Sequence, residues 1–320
     1  MTFPEFIEEW RSPKDFITAF TSGSTGTPKE IRLSKEFVAN SAKRTIDFFG
    51  LNSSSELHSC VSPDFIGGKM MAVRAEIAGA SLSWETPSNR PLSEISKDID
   101  LLAVVPSQMI HILENLNSLP QIQNIIIGGS SIHPLLRNKI VESGLNAYET
   151  YGMTETASHI ALRKITIDPS PFKCLEGIRV ELDSEDCLKI IFDQTEGING
   201  NPLTIQTNDI AEIPNERNSN QFFIKGRRDD IIITGARKVN PHEIEEKLAP
   251  FIPLPFYIKG IEDEKWGQKI VIILEGEKNE TLENELNEIF RTILPSYQIP
   301  KSIFFVKSLP LTGSGKIKRV

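Results

Sequence analysis

Long apolar runs, massed cations and paired cysteines are all scarce in this chain of 320 residues, and each scarcity excludes a class of protein. A bilayer-spanning helix needs about 20 consecutive apolar residues, and no such run occurs. Met1 to Trp10 is acidic and amphipathic, lacking the basic start and apolar stretch of a secretory leader. The three cysteines, Cys60, Cys174 and Cys187, lie far apart and match no zinc or CxxC spacing. An odd, sparse set fits a reducing compartment, so plain thiols and a cytoplasmic location are the expectation. Lys and Arg total 35 against 43 Asp and Glu, for a net charge of −8, and the cations are scattered. That argues against a nucleic-acid groove, whose affinity comes from clustered cations neutralising phosphates. A few placed donors still suffice for a nucleotide. What is present, 39% hydrophobic and 24% charged residues, describes an ordinary globular protein long enough for two domains.

Along the chain, residues 15–21 read as a strand feeding a polar stretch, and Ser34 opens a helix with Phe37, Val38, Ile46 and Phe48 for its apolar face. Strand and helix patterns then alternate. Residues 57–62, 101–105 and 122–127 read as strands, and 69–78, 107–116 and 134–143 as helices. Continuous apolar strands between helices indicate a parallel sheet covered on both faces. From about Cys174 to Ile224 short β-type runs separated by turns suggest a small antiparallel region. The charged turn Gly226 to Asp230 is the expected domain boundary, and a compact α+β unit follows. It has a helix capped at Asn240-Pro241, strands at 256–259, 270–274 and 303–306, and a helix over 282–294. The expected fold class is therefore α/β: a mainly parallel large domain with a small antiparallel region over 1–226, then a C-terminal domain over 227–320.

Residues Thr21 to Lys29 read T-S-G-S-T-G-T-P-K. Gly23 and Gly26 permit close backbone approach, Ser22, Ser24, Thr25 and Thr27 add hydroxyl donors, and Lys29 adds a positive charge. Such a loop can surround a polyphosphate. It lacks the GxxxxGK[ST] spacing of the P-loop. Taken alone, a Ser/Gly-rich stretch is as readily a polar connection. This order of residues, however, resembles the phosphate-binding loop of the adenylate-forming superfamily of acyl-CoA synthetases, adenylation domains and luciferases.

Six further segments, in the family's order along the chain, carry the resemblance. Tyr151-Gly152-Met153-Thr154-Glu155-Thr156 is similar to the second core motif. The resemblance implies Tyr151 against adenine, Thr154 at the α-phosphate and Glu155 holding Mg²⁺, chemistry that suits a carboxylate oxygen. Without it, the segment would read as a capped helix start with a surface Glu. Gly128-Gly129-Ser130-Ser131 resembles the glycine turn bounding the nucleotide and acyl pockets. Thr207-Asn208-Asp209 is similar to the family's Thr-Gly-Asp, implying that Asp209 accepts from the ribose hydroxyls. Asn208 replaces Gly, mildly, because Asn also tolerates left-handed backbone. Gly226-Arg227-Arg228-Asp229-Asp230 implies that Arg227 contacts ribose and Asp229 is a hinge. Residues 234–245 resemble the thiol-tunnel segment, with Ala236 where a second Gly is common. Finally, residues 310–319 look like the catalytic-lysine motif, in which Lys316 neutralises charge building on the attacking carboxylate and α-phosphate.

The resemblance thus implies an ATP- and Mg²⁺-dependent ligase: a carboxylate gives acyl-AMP and pyrophosphate, then coenzyme A gives the acyl thioester and AMP. Ala157-Ser158 after the second motif, and brevity, resemble 2-succinylbenzoate–CoA ligases of menaquinone biosynthesis. That acid's second carboxylate would want a donor or cation, and Ser158, His159, Lys69 and Arg74 are candidates. Phe65 stands where relatives carry an aromatic-His pair before the glycine, so Phe65 and Gly67 are expected at the acyl site. Only 20 residues precede the phosphate loop, which implies a shortened large domain whose open sheet edge a homodimer would cover. Other aryl or acyl acids, a carrier-protein acceptor, and a non-catalytic nucleotide-binding homologue are the competing readings.

Overall fold

The computed structural model describes residues 1–21, 29–93, 95–193, 203–215, 220–310 and 317–319. The chain opens with α1 (Phe3–Arg11), whose start is fixed by reciprocal bonds between Thr2 and Glu5. Strands β1 (Phe16–Phe20) and β2 (Glu30–Ser34) then pair antiparallel, from Phe16 opposite Ser34 to Phe20 opposite Glu30. The polar loop is therefore a hairpin loop between two strands, and β2 is an element the residue pattern did not announce. Ser34 caps α2 (Lys35–Phe49) as expected, accepting from the Phe37 amide at 3.2 Å. Val38 and Ala42 form its buried face, whereas Phe48 lies exposed, stacked edge-on against Tyr148.

Next come β3 (Glu56–Ser59), α3 (Ile66–Ala78), β4 (Ser81–Trp84), β5 (Leu101–Val104), α4 (Pro106–Glu114), β6 (Ile125–Ile127), α5 (Pro134–Glu142) and β7 (Ala147–Met153). Their strands lie in parallel register in the order β4-β3-β5-β6-β7. Successive side chains point to opposite faces of a strand, so a strand covered on both sides must be apolar throughout. Leu101 and Ala103 accordingly pack toward α3 with Met71 and Ala75, while Leu102 and Val104 pack toward α4 and α5 with Met109, Ile112 and Ile140.

The antiparallel part is larger than the pattern suggested and belongs to the same sheet. It comprises β8 (Ser158–Lys164), β9 (Phe172–Cys174), β10 (Ile178–Leu182), β11 (Cys187–Phe192), β12 (Thr204–Glu212) and β13 (Gln221–Arg227). Through β7–β8 and β9–β13 it continues the parallel half into one 11-stranded sheet, β10-β11-β12-β13-β9-β8-β7-β6-β5-β3-β4. After the turn Arg228–Asp230, a second sheet forms from β14 (Ile232–Thr234), β15 (Arg237–Val239), β16 (Phe256–Asp263), β17 (Gly267–Glu275) and β18 (Ser302–Val306). Helices α6 (Pro241–Leu248) and α7 (Glu280–Ile293) cover it, burying Ile244, Leu248, Leu286 and Phe290 in a core of its own. The Asn240 amide donates to the Lys225 carbonyl at 2.8 Å and so ties α6 to the end of β13.

Candidate adenylate-forming site

In parallel sheets ligands collect at the carboxyl ends of the strands, where the loops leave. That edge carries the turn after β3 with Phe65, the Gly128–Ser130 turn after β6, and the Thr154–Thr156 turn after β7. Phe65 is half-buried and precedes α3. Gly67 has room for a side chain, whereas a Cβ on Gly68 would lie 2.3 Å from the Ser62 carbonyl oxygen, so the second glycine is the one packing requires. Gly128 donates its amide to Val104 O at 3.1 Å, and Gly129 takes φ 94°, a left-handed value suited to glycine.

Tyr151, near the end of β7, donates its hydroxyl to Asp209 Oδ2 at 2.6 Å, although 58 residues separate the two. Asp209 faces Arg227 across the β12–β13 ladder, and the guanidinium Nη1 donates to Oδ1 at 3.0 Å. The Thr207 hydroxyl fixes the Asp209 amide at 3.1 Å and itself donates to Leu188 O at 2.8 Å. Burial, then the neighbouring Asp209 carboxylate, pushes the Tyr151 phenol well above its ordinary value, so it remains a donor. Phe222 meets the Tyr151 ring edge-on at 5.1 Å and Phe172 at 5.8 Å. A carboxylate offers about four lone-pair sites. Two are taken here, which leaves acceptors for a diol.

The turn beyond Tyr151 is held tightly. A Cβ at Gly152 would meet Ser158 O at 2.2 Å, because β8 bulges against β7 at that point. The Thr156 hydroxyl accepts from the Met153 amide at 2.9 Å and reaches Ser158 O at 2.6 Å. Ala157 and Ser158 are both left-handed, at φ 50° and 88°, and Ser41 clamps Ala157 O at 2.8 Å. Strained non-glycine backbone held from several sides is a mark of functional turns. The segment is a single 3-10 turn, Thr154–Thr156, with Glu155 exposed, rather than the start of a longer helix. Thr154 Oγ1 lies 3.5 Å from Phe20 O at the foot of the β1–β2 hairpin, whose stem is closed by the Thr21 amide on Lys29 O at 3.0 Å. Ser22, Gly23, Ser24, Thr25, Gly26 and Thr27, as well as Lys316, lie outside the described residues. Glu155 is exposed and makes no hydrogen bond or ion pair among the described residues. A carboxylate with no partner among the described residues, next to Thr154 at the foot of the β1–β2 hairpin, fits Mg²⁺, which takes one or two carboxylates plus phosphate oxygens.

His159 and Arg74 sit behind this turn. His159 is on strand β8 and is buried with Nε2 2.9 Å from the Thr45 hydroxyl. Burial, with Arg74 adding to it, holds its pKa well below 6.5. Above that value neither folded nor unfolded His159 carries a proton. Below it the unfolded chain binds one that the folded chain refuses, so stability falls with pH, by up to about 1.4 kcal/mol per unit. Denaturant midpoints followed from about pH 7.5 down to about 5.5 should show this loss, and His159→Gln should flatten the slope.

Arg74 is 1% exposed, and its Nε and Nη2 have no partner among the described residues. Its Nη1 reaches only the Met71 sulfur at 3.6 Å. Burial pushes the guanidinium down to about 9, which still leaves it charged at neutral pH. Lys69 points elsewhere, over the Phe6 ring under α1 at 4.4 Å. Asp229, the expected hinge, accepts from Arg227 Nη2 at 3.2 Å and from Asn208 Nδ2 at 3.1 Å. Arg228 donates to Asn208 Oδ1 at 3.1 Å and pairs with Glu185. Ser41 and Thr45 were not singled out in the sequence, since lone hydroxyl residues give no signal there, and Thr156 and Thr207 stand in quoted motifs without a role of their own.

A mixed sheet with this nucleotide-type cluster at its strand ends, joined to a small α/β body, is the architecture of adenylate-forming enzymes. The AMP-binding enzyme model matches residues 5–179 and the AMP-binding enzyme C-terminal domain model residues 257–316. The chain belongs to the AMP-binding enzyme family. A 2-succinylbenzoate–CoA ligase of Listeria monocytogenes is 28% identical over 337 residues, covering 99% of this chain and 71% of the relative. Among solved structures, an acyl-CoA synthetase (AMP-forming)/AMP-acid ligase II-like protein from Dyadobacter fermentans is 31% identical. It covers 98% of this chain and 91% of its own, at TM-score 0.63. The O-succinylbenzoate coenzyme A synthetase of Bacillus subtilis, in complex with ATP and magnesium ion, shares the fold at TM-score 0.77 and 22% identity, over 94% of this chain and 68% of its own. No helix among the described residues is long and apolar enough to cross a membrane.

Proposed function

We propose that the chain is an AMP-forming acid–thiol ligase that activates an acid as its acyl-adenylate and passes the acyl group to coenzyme A. The observation that carries this reading is the convergence of Tyr151, Asp209 and Arg227 beside the Thr154 turn and the foot of the β1–β2 hairpin. Tyr151 would flank adenine, Asp209 and Arg227 would hold the ribose, and residues 21–29 would surround the phosphates. The acid's carboxylate is already a competent nucleophile, so alignment and charge stabilisation supply the catalysis. Mg²⁺ held by Glu155 would withdraw charge from the phosphates. Lys316 would neutralise the same region from the C-terminal body (227–320), which would then turn about Asp229 to admit the thiol. The Asn208–Asp229 and Arg228–Asn208 bonds would have to exchange in that motion.

For the acid, 2-succinylbenzoate is the reading favoured by the relatives and by Arg74. A guanidinium buried without an oxygen partner is costly, and a substrate's second carboxylate would satisfy it bidentately. Acid-dependent exchange of pyrophosphate into ATP tests this. Exchange should be strongest with 2-succinylbenzoate in a panel of aryl and short acyl acids. Exchange with a different acid corrects the substrate, and none with any acid removes the catalytic reading.

A further inference from the structure

A second cluster, away from the nucleotide site, joins three ligand-type side chains at the far edge of the parallel sheet. His58 on β3 and Cys60 just beyond it are two residues apart, so they point to the same face of the strand. Glu85 follows β4, whose Trp84 is paired with Ser59 in parallel register. It therefore arrives beside Cys60. The His58, Cys60 and Glu85 ligand atoms all lie within 4.8 Å of one another. We propose that His58, Cys60 and Glu85 form a binding site for a divalent metal ion of the Zn²⁺ or Co²⁺ class.

Hydrogen bonding around the imidazole orients it for this role. Ser83 Oγ lies 3.3 Å from Leu57 O, to which it donates, and 2.8 Å from His58 Nδ1. In the tautomer where the hydroxyl donates to that carbonyl, it accepts from Nδ1–H. The lone pair is thereby placed on Nε2, the arrangement that outer-shell partners impose on metal-binding histidines. That Nε2 is buried, has no hydrogen-bond partner, and faces Glu85 Oε2 at 3.8 Å, beyond hydrogen-bond range. The His58 side chain is fully buried and Cys60 nearly so, while the Glu85 side chain keeps 21% exposure and provides the way in from solvent. Both Glu85 oxygens accept from the Leu92 amide, at 3.0 and 3.1 Å. Leu92 is buried in left-handed backbone at φ 65°, so a strained segment braces the carboxylate.

One nitrogen, one sulfur and one oxygen donor make a borderline-soft set that suits Zn²⁺. Bond lengths of about 2.0–2.3 Å at tetrahedral angles place ligand atoms about 3.4–3.6 Å apart, a contraction of up to about 1.4 Å from a present spacing within 4.8 Å. As the metal–sulfur bond forms, the thiol proton leaves to solvent. Thiolate, carboxylate and dication then sum to zero, so the buried site carries no net charge. The fourth position would take water.

The test uses the full-length, metal-stripped chain titrated with Co²⁺ and then Zn²⁺. The expected result is one equivalent of Co²⁺ bound with a thiolate-to-cobalt charge-transfer band that Zn²⁺ abolishes. The band should be lost in Cys60→Ser and kept in Cys174→Ser, which carries its change at another buried thiol. Ser83→Ala keeps all three ligands and should weaken Zn²⁺ by about 10- to 100-fold. Absence of the band in the native chain overturns the proposal without reliance on any variant. Its persistence in Cys60→Ser, or unchanged Zn²⁺ affinity in Ser83→Ala, would do the same.

Discussion

Lys316→Ala is expected to slow acyl-adenylate formation by on the order of 100-fold or more, while transfer to the thiol from a preformed acyl-adenylate is largely spared. Negative charge gathers where the carboxylate meets the α-phosphate, and a cation aimed there stabilises the transition state more than the bound reactants. In the proposed mechanism the second half-reaction expels AMP after the C-terminal body has turned, so the same lysine would have no part in it. The frame for this lysine is visible on both sides. The Lys318 amide donates to Pro310 O at 2.7 Å. Arg319 donates to both Glu245 oxygens at 2.6 and 2.7 Å and to Ile258 O at 2.6 Å, pinning the chain end to the small sheet and α6. Single-turnover measurement of each half-reaction separates the outcomes. Equal loss in both steps would remove Lys316 from the adenylation role.

Arg74→Met is expected to lower kcat/KM for an acid with a second carboxylate by about 30-fold to a few thousand-fold, the equivalent of about 2–5 kcal/mol for one partner of a buried charge pair. A monocarboxylic analogue should lose little. Thermal stability distinguishes this from a structural role. The guanidinium has no oxygen partner in the described structure, so an apolar side chain of similar length should leave the fold as stable or more so. Arg74→Lys keeps the charge but not the planar fork, and should recover only part of the activity. A destabilised Arg74→Met protein that handles both acids equally badly would mean that Arg74 supports the fold and does not read the substrate.

Much of the large sheet was legible because it rests on local pattern. The runs at 101–105 and 125–127 are apolar on every residue, which only a strand covered on both faces needs, and Ser34, Pro134 and Asn240 mark helix starts through side-chain and ring chemistry near the first turn. Elements that depend on a distant partner were less visible. Strand β2 is Glu-Ile-Arg-Leu-Ser, too short and mixed to announce itself, and becomes a strand by pairing with β1. His159, in the sequence only one of several candidate donors, becomes a buried group when β8 carries it beneath α2 to Thr45.

By itself the sequence determined the chemistry on offer: hydroxyls, glycines and a lysine in the phosphate loop, a tyrosine and acid in the second motif, and a lysine near the far end. Those assignments travel with short ordered motifs, because the residues that touch one group of a ligand lie close together in the chain. Only the tertiary structure decided which of these groups meet. Tyr151 finds Asp209 because β7 and β12 belong to one sheet, joined through β8, β9 and β13. The same folding leaves Arg74 charged in the interior without an oxygen partner among the described residues, and sets His58 beside Glu85 through the register of two parallel strands. Burial and pairing are properties of neighbours brought from far along the chain.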